Sequence, residues 1–212
     1  MICLVQARMS SKRFPRKIIK KINNLELIVI VYKRLLKSKL LKKIYISTSN
    51  HKTDDELCDF LKNKKINFLR GDLNDVSKRL LEHAKSLKVK KFIRICGDSP
   101  LIDHNLLDAM ILKSRTESFD LFTNSFPRTY PRGMGIEIIS VNTLKNFIKK
   151  FNSIEKEHVT QFFYNNAKKF KIINFKNSKN LSKLNYCVDE KADLKFLRVF
   201  LRKKNLMNYS VL

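Results

Sequence analysis

Tryptophan is absent from the 212 residues, and glycine, proline and cysteine occur only four times each. So little glycine and proline excludes collagen-like chains and Pro/Gly-rich disordered ones. The four cysteines, Cys3, Cys58, Cys96 and Cys187, are scattered and form no CxxC and no Cys/His pair at zinc spacing. Neither a disulfide framework nor a structural metal is indicated, and reduced, mostly buried thiols are expected. Long hydrophobic runs are missing as well. Lys, Arg or Asn interrupts each apolar stretch before the roughly 18 residues that a spanning helix needs, which argues against a membrane protein. The opening MICLVQARMSSKR has no basic segment ahead of its apolar stretch and is too short for a secretory signal, so a cytoplasmic location is expected.

Acidic residues are also scarce: 19 Asp+Glu stand against 45 Lys+Arg, for a formal net charge of +26. That excess has two readings, an electrostatic footprint for polyanions or a lysine-rich habit spread over the surface. The lysines sit singly or in pairs on almost every expected element with few aromatics interleaved, which favours the second reading and no nucleic-acid partner. With 43% hydrophobic residues in short periodic blocks, the chain is not a solvated disordered one. Its length suits one domain over residues 1–212, with a sizeable interior.

Short apolar runs alternate with longer amphipathic stretches, the pattern of an α/β fold. Met1 to Ala7 is continuously apolar and predicts a central strand buried on both faces. Glu26 to Leu40 predicts a helix, Lys43 to Ser47 a strand, and Thr53 with Glu56 a capping box opening a helix through Asn63. A short strand at 66–69, a helix at 75–87, a buried strand at 91–96 and a helix at 103–114 follow. The second half mixes strands at 119–123, 135–139, 170–175 and 184–188 with helices at 141–151, 157–168 and 190–203, the last a Phe-rich helix expected to pack in the core. The whole predicts a three-layer α/β fold with a mostly parallel mixed sheet.

Ligands of such sheets bind beyond the carboxyl ends of the strands. The loops there carry Arg8, Ser10, Ser11, Lys12, Arg13 and Lys17, then Arg70, Gly71, Asp72 and Asp75, then Asp98, then Asp189 and Asp193. A cationic loop facing carboxylates is the combination that holds a nucleoside triphosphate, since Arg and Lys neutralise phosphates while hard oxygen ligands place Mg²⁺. Each feature alone has a plainer reading. Asp98 and Ser99 before Pro100 fit a helix start, Asp189 fits a helix cap, and Arg8 to Lys17 fits a solvated basic loop.

In order along the chain, Gln6 to Lys17 (QARMSSKRFPRK), Arg70-Gly71-Asp72 with Asp75-Val76, Arg94 to Asp103 (RICGDSPLID), Glu157 to Thr160 (EHVT), and Val188-Asp189 with Asp193-Leu194 resemble the motifs of the spore-coat-polysaccharide-type cytidylyltransferases. These are relatives of the acylneuraminate and 3-deoxy-manno-octulosonate cytidylyltransferases. The resemblance implies a nucleotide-diphospho-sugar-transferase-like fold and Mg²⁺-dependent transfer of CMP from CTP to a small-molecule acceptor, usually an acidic sugar, with pyrophosphate released. Carried over by motif, Gln6, Ala7, Arg8, Ser10, Ser11, Arg13 and Lys17 would bind the nucleotide, with Arg70, Gly71, Asp72 and Asp75 bordering it. Asp98 and Asp189 would ligate Mg²⁺, with Arg13 and Lys17 stabilising the pyrophosphate. Tyr130, Arg132, Glu137 and His158 would lie toward the acceptor, and a homodimer is implied.

Two positions depart from the pattern: Arg16 stands where the family has glycine, and Gly135 where it has a carboxylate. Two other functions compete on the residues alone, a glycosyltransferase using a nucleotide sugar and a noncatalytic basic module binding polyanions. Against the first, no D-x-D motif follows a strand.

Overall fold

The computed structural model describes residues 1–202 and 206–210. In chain order the strands are β1 (Ile2–Gln6), β2 (Lys21–Ile22), β3 (Leu25–Glu26), β4 (Lys43–Ser49), β5 (Phe68–Gly71), β6 (Lys91–Cys96), β7 (Leu121–Thr123), β8 (Glu137–Ser140) and β9 (Ile172–Asn174). The helices are α1 (Leu27–Leu35), α2 (Asp55–Asn63), α3 (Val76–Ser86), α4 (His104–Arg115), α5 (Val141–Phe147), α6 (Ser153–Glu157), α7 (Gln161–Asn165) and α8 (Lys191–Phe200).

Seven strands form one sheet in the order β5-β4-β1-β6-β8-β7-β9. The pairs β1·β4, β1·β6, β4·β5 and β7·β9 are parallel, while β8 runs antiparallel to both β6 and β7. Side chains alternate across the sheet as pleating requires. Cys3 and Val5 of β1 face a core shared with α1, α2, α4 and α8, whereas Leu4 joins a second core with α3, α5 and α7. Ile93 and Ile95 against Phe92 in β6, and Ile138 against Ile139 in β8, repeat that division. Helices therefore cover both faces, giving three layers, and the apolar runs of β1 and β6 are explained by burial on two sides.

The chain winds outward from β1 to β4 and β5, then returns to place β6 on the other side of β1. The carboxyl ends of β1 and β6 thus flank the point where strand order reverses, which is where open sheets bind ligands. Gly97 follows β6 there, its N–H bonded to Gln6 O at 2.9 Å. A Cβ on Gly97 would meet Gln6 O at 3.0 Å and Ala7 Cβ at 3.2 Å, so glycine lets the two strand-end loops touch.

Several expectations are corrected. Thr53 and Glu56 form no capping box: Asp54 precedes α2, the His51 side chain accepts from Thr53 N, and Glu56 pairs with Arg16. α1 stops at Leu35 rather than reaching Leu40, because Ser38 and Asp108 accept from the backbone N–H groups of residues 39–41. An unforeseen hairpin joins β2 to β3 through Asn23 and Asn24, both at positive φ (48° and 65°), a conformation asparagine tolerates. The helix expected at 157–168 is broken into the end of α6, α7 and a short 3₁₀ turn at 167–169, and the strand expected at 184–188 is only an isolated bridge between Arg132 and Asn185. α8 ends at Phe200, and position 203 of its expected span lies outside the described residues. It buries Leu194 and Leu197 but leaves Phe196 and Val199 exposed, so its Phe-rich face is only partly core. Among the described residues no helix is long and apolar enough to cross a membrane.

Candidate active site

At the reversal point the chain opens a cavity of about 650 Å³. Its centre is a knot of charge. Lys17 Nζ donates to Asp98 Oδ2 at 2.7 Å, to Val188 O at 2.8 Å and to Asp189 Oδ1 at 3.2 Å. Arg13 and Arg132 reach the same Asp189 carboxylate at 3.0 and 3.4 Å. Val188 N bonds to Asp98 O at 2.9 Å, holding two segments some ninety positions apart side by side. Burial alone would lower the Lys17 pKa, but Asp98 and Asp189 outweigh it and raise it, so Lys17 is an ammonium at neutral pH. Burial alone would raise the Asp189 carboxyl, but Lys17, Arg13 and Arg132 hold it below its ordinary value.

Local structure explains the placement. Met9 N donates to the buried Asp54 carboxylate at 2.7 Å, and Arg16 N closes back on Met9 O at 2.9 Å, which sets the basic loop. Asp54 is further held by Thr48 and Ser49. Asp103 caps α4 and the Glu190–Asp193 capping box opens α8, so neither Asp98 nor Asp189 is a helix cap. Gly133, at φ 87°, allows its segment to press on residues 186–187, since a Cβ would lie 2.6 Å from Tyr186 C. That contact brings Arg132 beside Asp189.

Gln6, Ala7, Arg8, Ser11, Arg13, Lys17, Asp98, Arg132, Glu137, His158 and Asp189 all line the cavity. Arg8 is paired with Glu157, whose carboxyl burial alone would raise but Arg8 holds low. Others lie elsewhere. Ser10 sits in the same loop but off the cavity wall, and Tyr130 is buried in the core. Arg70 turns outward to Asp55 and Ser49 O, and Gly71, Asp72 and Asp75 do not reach the cavity either. Asp75 caps α3, and Asp72 ties down the turn before it. What this segment contributes is Val76 and Arg79, which do line the cavity.

Arg79, Arg94 and Arg128 were not foreseen. Arg94 is buried, with Nε donating to Gln6 at 2.8 Å and Nη1 paired with Glu137, whose other oxygen accepts from Thr160 at 2.7 Å and Tyr164 at 2.8 Å. Despite burial, Glu137 keeps the Arg94 pKa above the ordinary arginine value. A charge in the middle of the apolar run FIRIC was the signal for it, because such a group needs a buried partner. Arg79 likewise falls on the apolar face of α3, donating to Ser47 Oγ and Asp72 O, and burial lowers it to about 10.

Asp98, Asp189 and Cys187 bring ligand atoms within 4.8 Å of one another. Burial, reinforced by both carboxylates, pushes the Cys187 thiol above its ordinary value. The two carboxylates supply the hard oxygen ligands that Mg²⁺ takes. A divalent ion and the Lys17 ammonium would compete for the same oxygens.

A family model described as cytidylyltransferase matches residues 2–208. The spore coat polysaccharide biosynthesis protein SpsF of Bacillus subtilis is 28% identical over 176 residues, covering 80% of this chain and 72% of that protein. A solved cytidylyltransferase from Leptospira borgpetersenii superimposes with a TM-score of 0.92 at 30% identity, over 99% of this chain and 90% of that one. CMP:2-keto-3-deoxy-manno-octonic acid synthetase, solved with CTP, shares the fold at a TM-score of 0.74 and 18% identity, over 96% and 99% of the two chains. With its cationic loop and paired aspartates at the sheet's reversal point, the chain belongs to the cytidylyltransferase family.

Proposed function

We propose that this enzyme transfers CMP from CTP to an acidic-sugar acceptor with release of pyrophosphate, dependent on Mg²⁺, as a homodimer in surface-glycan synthesis. The observation that carries the reading is the Lys17 ammonium bridging Asp98 and Asp189, with Arg13 and Arg132 on the same carboxylate. Three cations against two carboxylates leave surplus positive charge for phosphates, within a cavity whose size suits a nucleotide.

The reaction needs no protein nucleophile. An acceptor oxygen bonds to the α-phosphorus, the bond to the β-phosphate oxygen breaks with its electron pair leaving on pyrophosphate, and the acceptor hydroxyl gives its proton to solvent water. Asp98 and Asp189 would hold Mg²⁺, which when bound polarises the phosphate and shields its charge. Lys17 and Arg13 stabilise the negative charge that grows on the departing pyrophosphate. Lys17 does not act as a base, since Asp98 and Asp189 keep it an ammonium at neutral pH. Arg8, held by Glu157, and Gln6, held by Arg94, shape the wall without new charge. Side chains held in this way favour alignment of the two reactants.

The test is pyrophosphate release from CTP with Mg²⁺ and a panel of 2-keto sugar acids, neutral sugars and phosphonates. Asp98→Ala and Asp189→Ala should each cut turnover about 10³-fold while a cooperative melt is retained. Salt-dependent polyanion binding that ignores both substitutions, with no turnover on any acceptor, would instead favour the basic-module reading.

A further inference from the structure

Five cations on the cavity wall already have carboxylate partners: Arg8 with Glu157, Arg94 with Glu137, and Lys17, Arg13 and Arg132 with Asp98 or Asp189. Of the rest, Lys12 is exposed on the basic loop, and Arg79 is engaged by Ser47 and Asp72 O. Arg128 differs from all of these. It is half-buried, lines the cavity, and its side chain makes no hydrogen bond or ion pair with any described residue.

What faces it is Gly135. A Cβ at that position would lie 4.0 Å from Arg128 Nη1 and 3.1 Å from Ser125 Oγ. An acidic side chain there would fall within ion-pair reach of the guanidinium, and glycine leaves that space to the cavity. The surrounding backbone is fixed. Asn124 donates to Met134 O and accepts from Ile136 N, both at 2.8 Å, and Asn174 donates to Pro127 O at 2.9 Å, so the two segments bearing Arg128 and Gly135 are cross-braced. An unmatched guanidinium on a braced backbone is free to grip a carboxylate with two parallel N–H donors. It belongs to the β7–β8 side, away from the basic loop after β1 that carries Arg13 and Lys17.

We propose that Arg128, left without a carboxylate partner by glycine at position 135, binds the acceptor's own carboxylate and so makes this enzyme select anionic acceptors. The inference rests on the cytidylyltransfer reading and adds the residue pair that sets acceptor choice.

The experiment measures binding of CTP by calorimetry, and binding and turnover of 2-keto-3-deoxy-manno-octonic acid and other 2-keto sugar acids, each beside its uncharged methyl ester. The wild type should prefer an acid to its ester by about 10- to 100-fold. Arg128→Ala should raise the KM for the acid by a similar factor, erase the preference, and leave the CTP affinity within about twofold. Gly135→Asp should do the same by occupying Arg128, whereas Gly135→Asn, of equal size without the charge, should keep most of the preference. That contrast separates charge capture from misfolding or crowding. A wild type that binds CTP but favours no acid over its ester, or an Arg128→Ala that keeps the preference, overturns the inference. Absence of CTP binding takes away the functional reading, and this inference with it.

Discussion

Two clusters of buried charge share one cavity wall and are built on opposite plans. Around Arg94, both oxygens of Glu137 are in use, one by Arg94 and the other by Thr160 and Tyr164, while Gln6 and the Cys96 sulfur accept from the rest of the guanidinium. Its two charged side chains are 10% and 8% exposed. Around Asp189, three cations crowd one carboxylate, and Asp98 and Asp189 stay 20% and 14% exposed. A saturated network fixes shape, since any change in it strands a buried charge. An unsaturated one, with surplus positive charge and open carboxylates, can exchange partners with a substrate. The difference sets a closed network apart from an open one, even though both pair basic side chains with carboxylates.

The largest effect that tests this contrast is in stability. Glu137→Ala should destabilise the fold by about 3–5 kcal/mol, because it leaves Arg94 buried without its counter-ion. Urea unfolding at neutral pH measures it. Glu137→Gln should cost less, keeping an acceptor for Thr160 and Tyr164. If Glu137→Ala instead keeps its stability and loses only acceptor turnover, Glu137 works directly on the acceptor, as the family resemblance implies, and the two clusters do not differ in kind.

The parallel half of the sheet was readable from the sequence because strands such as Met1 to Ala7 and Lys91 to Cys96 are buried on both faces and read as apolar runs. The meeting of Asp98 with Asp189 was carried by the motifs rather than by a strand pair: Asp98 follows β6, whereas the segment before Asp189 makes only the isolated bridge at Asn185. The second half was less legible because long-range polar contacts decide it. Glu157 turns to Arg8 and Thr160 to Glu137, and between them the helix that the spacing suggests is interrupted. Arg70 failed as a cavity residue because β5 is an edge strand, and its guanidinium finds Asp55 on the outer side. Arg128 left no local mark at all, since its surroundings are made by Gly135 and Ser125 across a turn.

A smaller effect concerns pH. The Asp189 carboxyl lies below the ordinary 3.8: burial would raise it, but Lys17, Arg13 and Arg132 dominate. A depressed folded-state pKa contributes stability above the unfolded value and loses it as the pH falls through the folded one. Asp189→Asn should therefore be less stable than the wild type above about pH 4, with the gap closing on further acidification. Melting curves of both proteins across that range test it. A gap that stays constant down to the acid limit would mean the three cations do not act on Asp189 as charges.

The smallest effect is expected at Arg16, which holds a left-handed backbone (φ 60°, ψ 18°) where the resembling family has glycine. The conformation costs a non-glycine residue about 1 kcal/mol. Against that, Arg16→Gly gives up an exposed ion pair with Glu56 and frees the unfolded chain, each worth up to about 1 kcal/mol. Because these contributions oppose one another at similar size, the melting temperature should move by only a few degrees in either direction. Turnover should be unchanged, since the guanidinium turns to Glu56 and lies off the cavity wall, unlike Arg13 and Lys17 in the same loop. A tenfold rise in the KM for CTP would show that Arg16 swings inward when phosphate arrives, which would move it from the braced part of the molecule into the exchanging one.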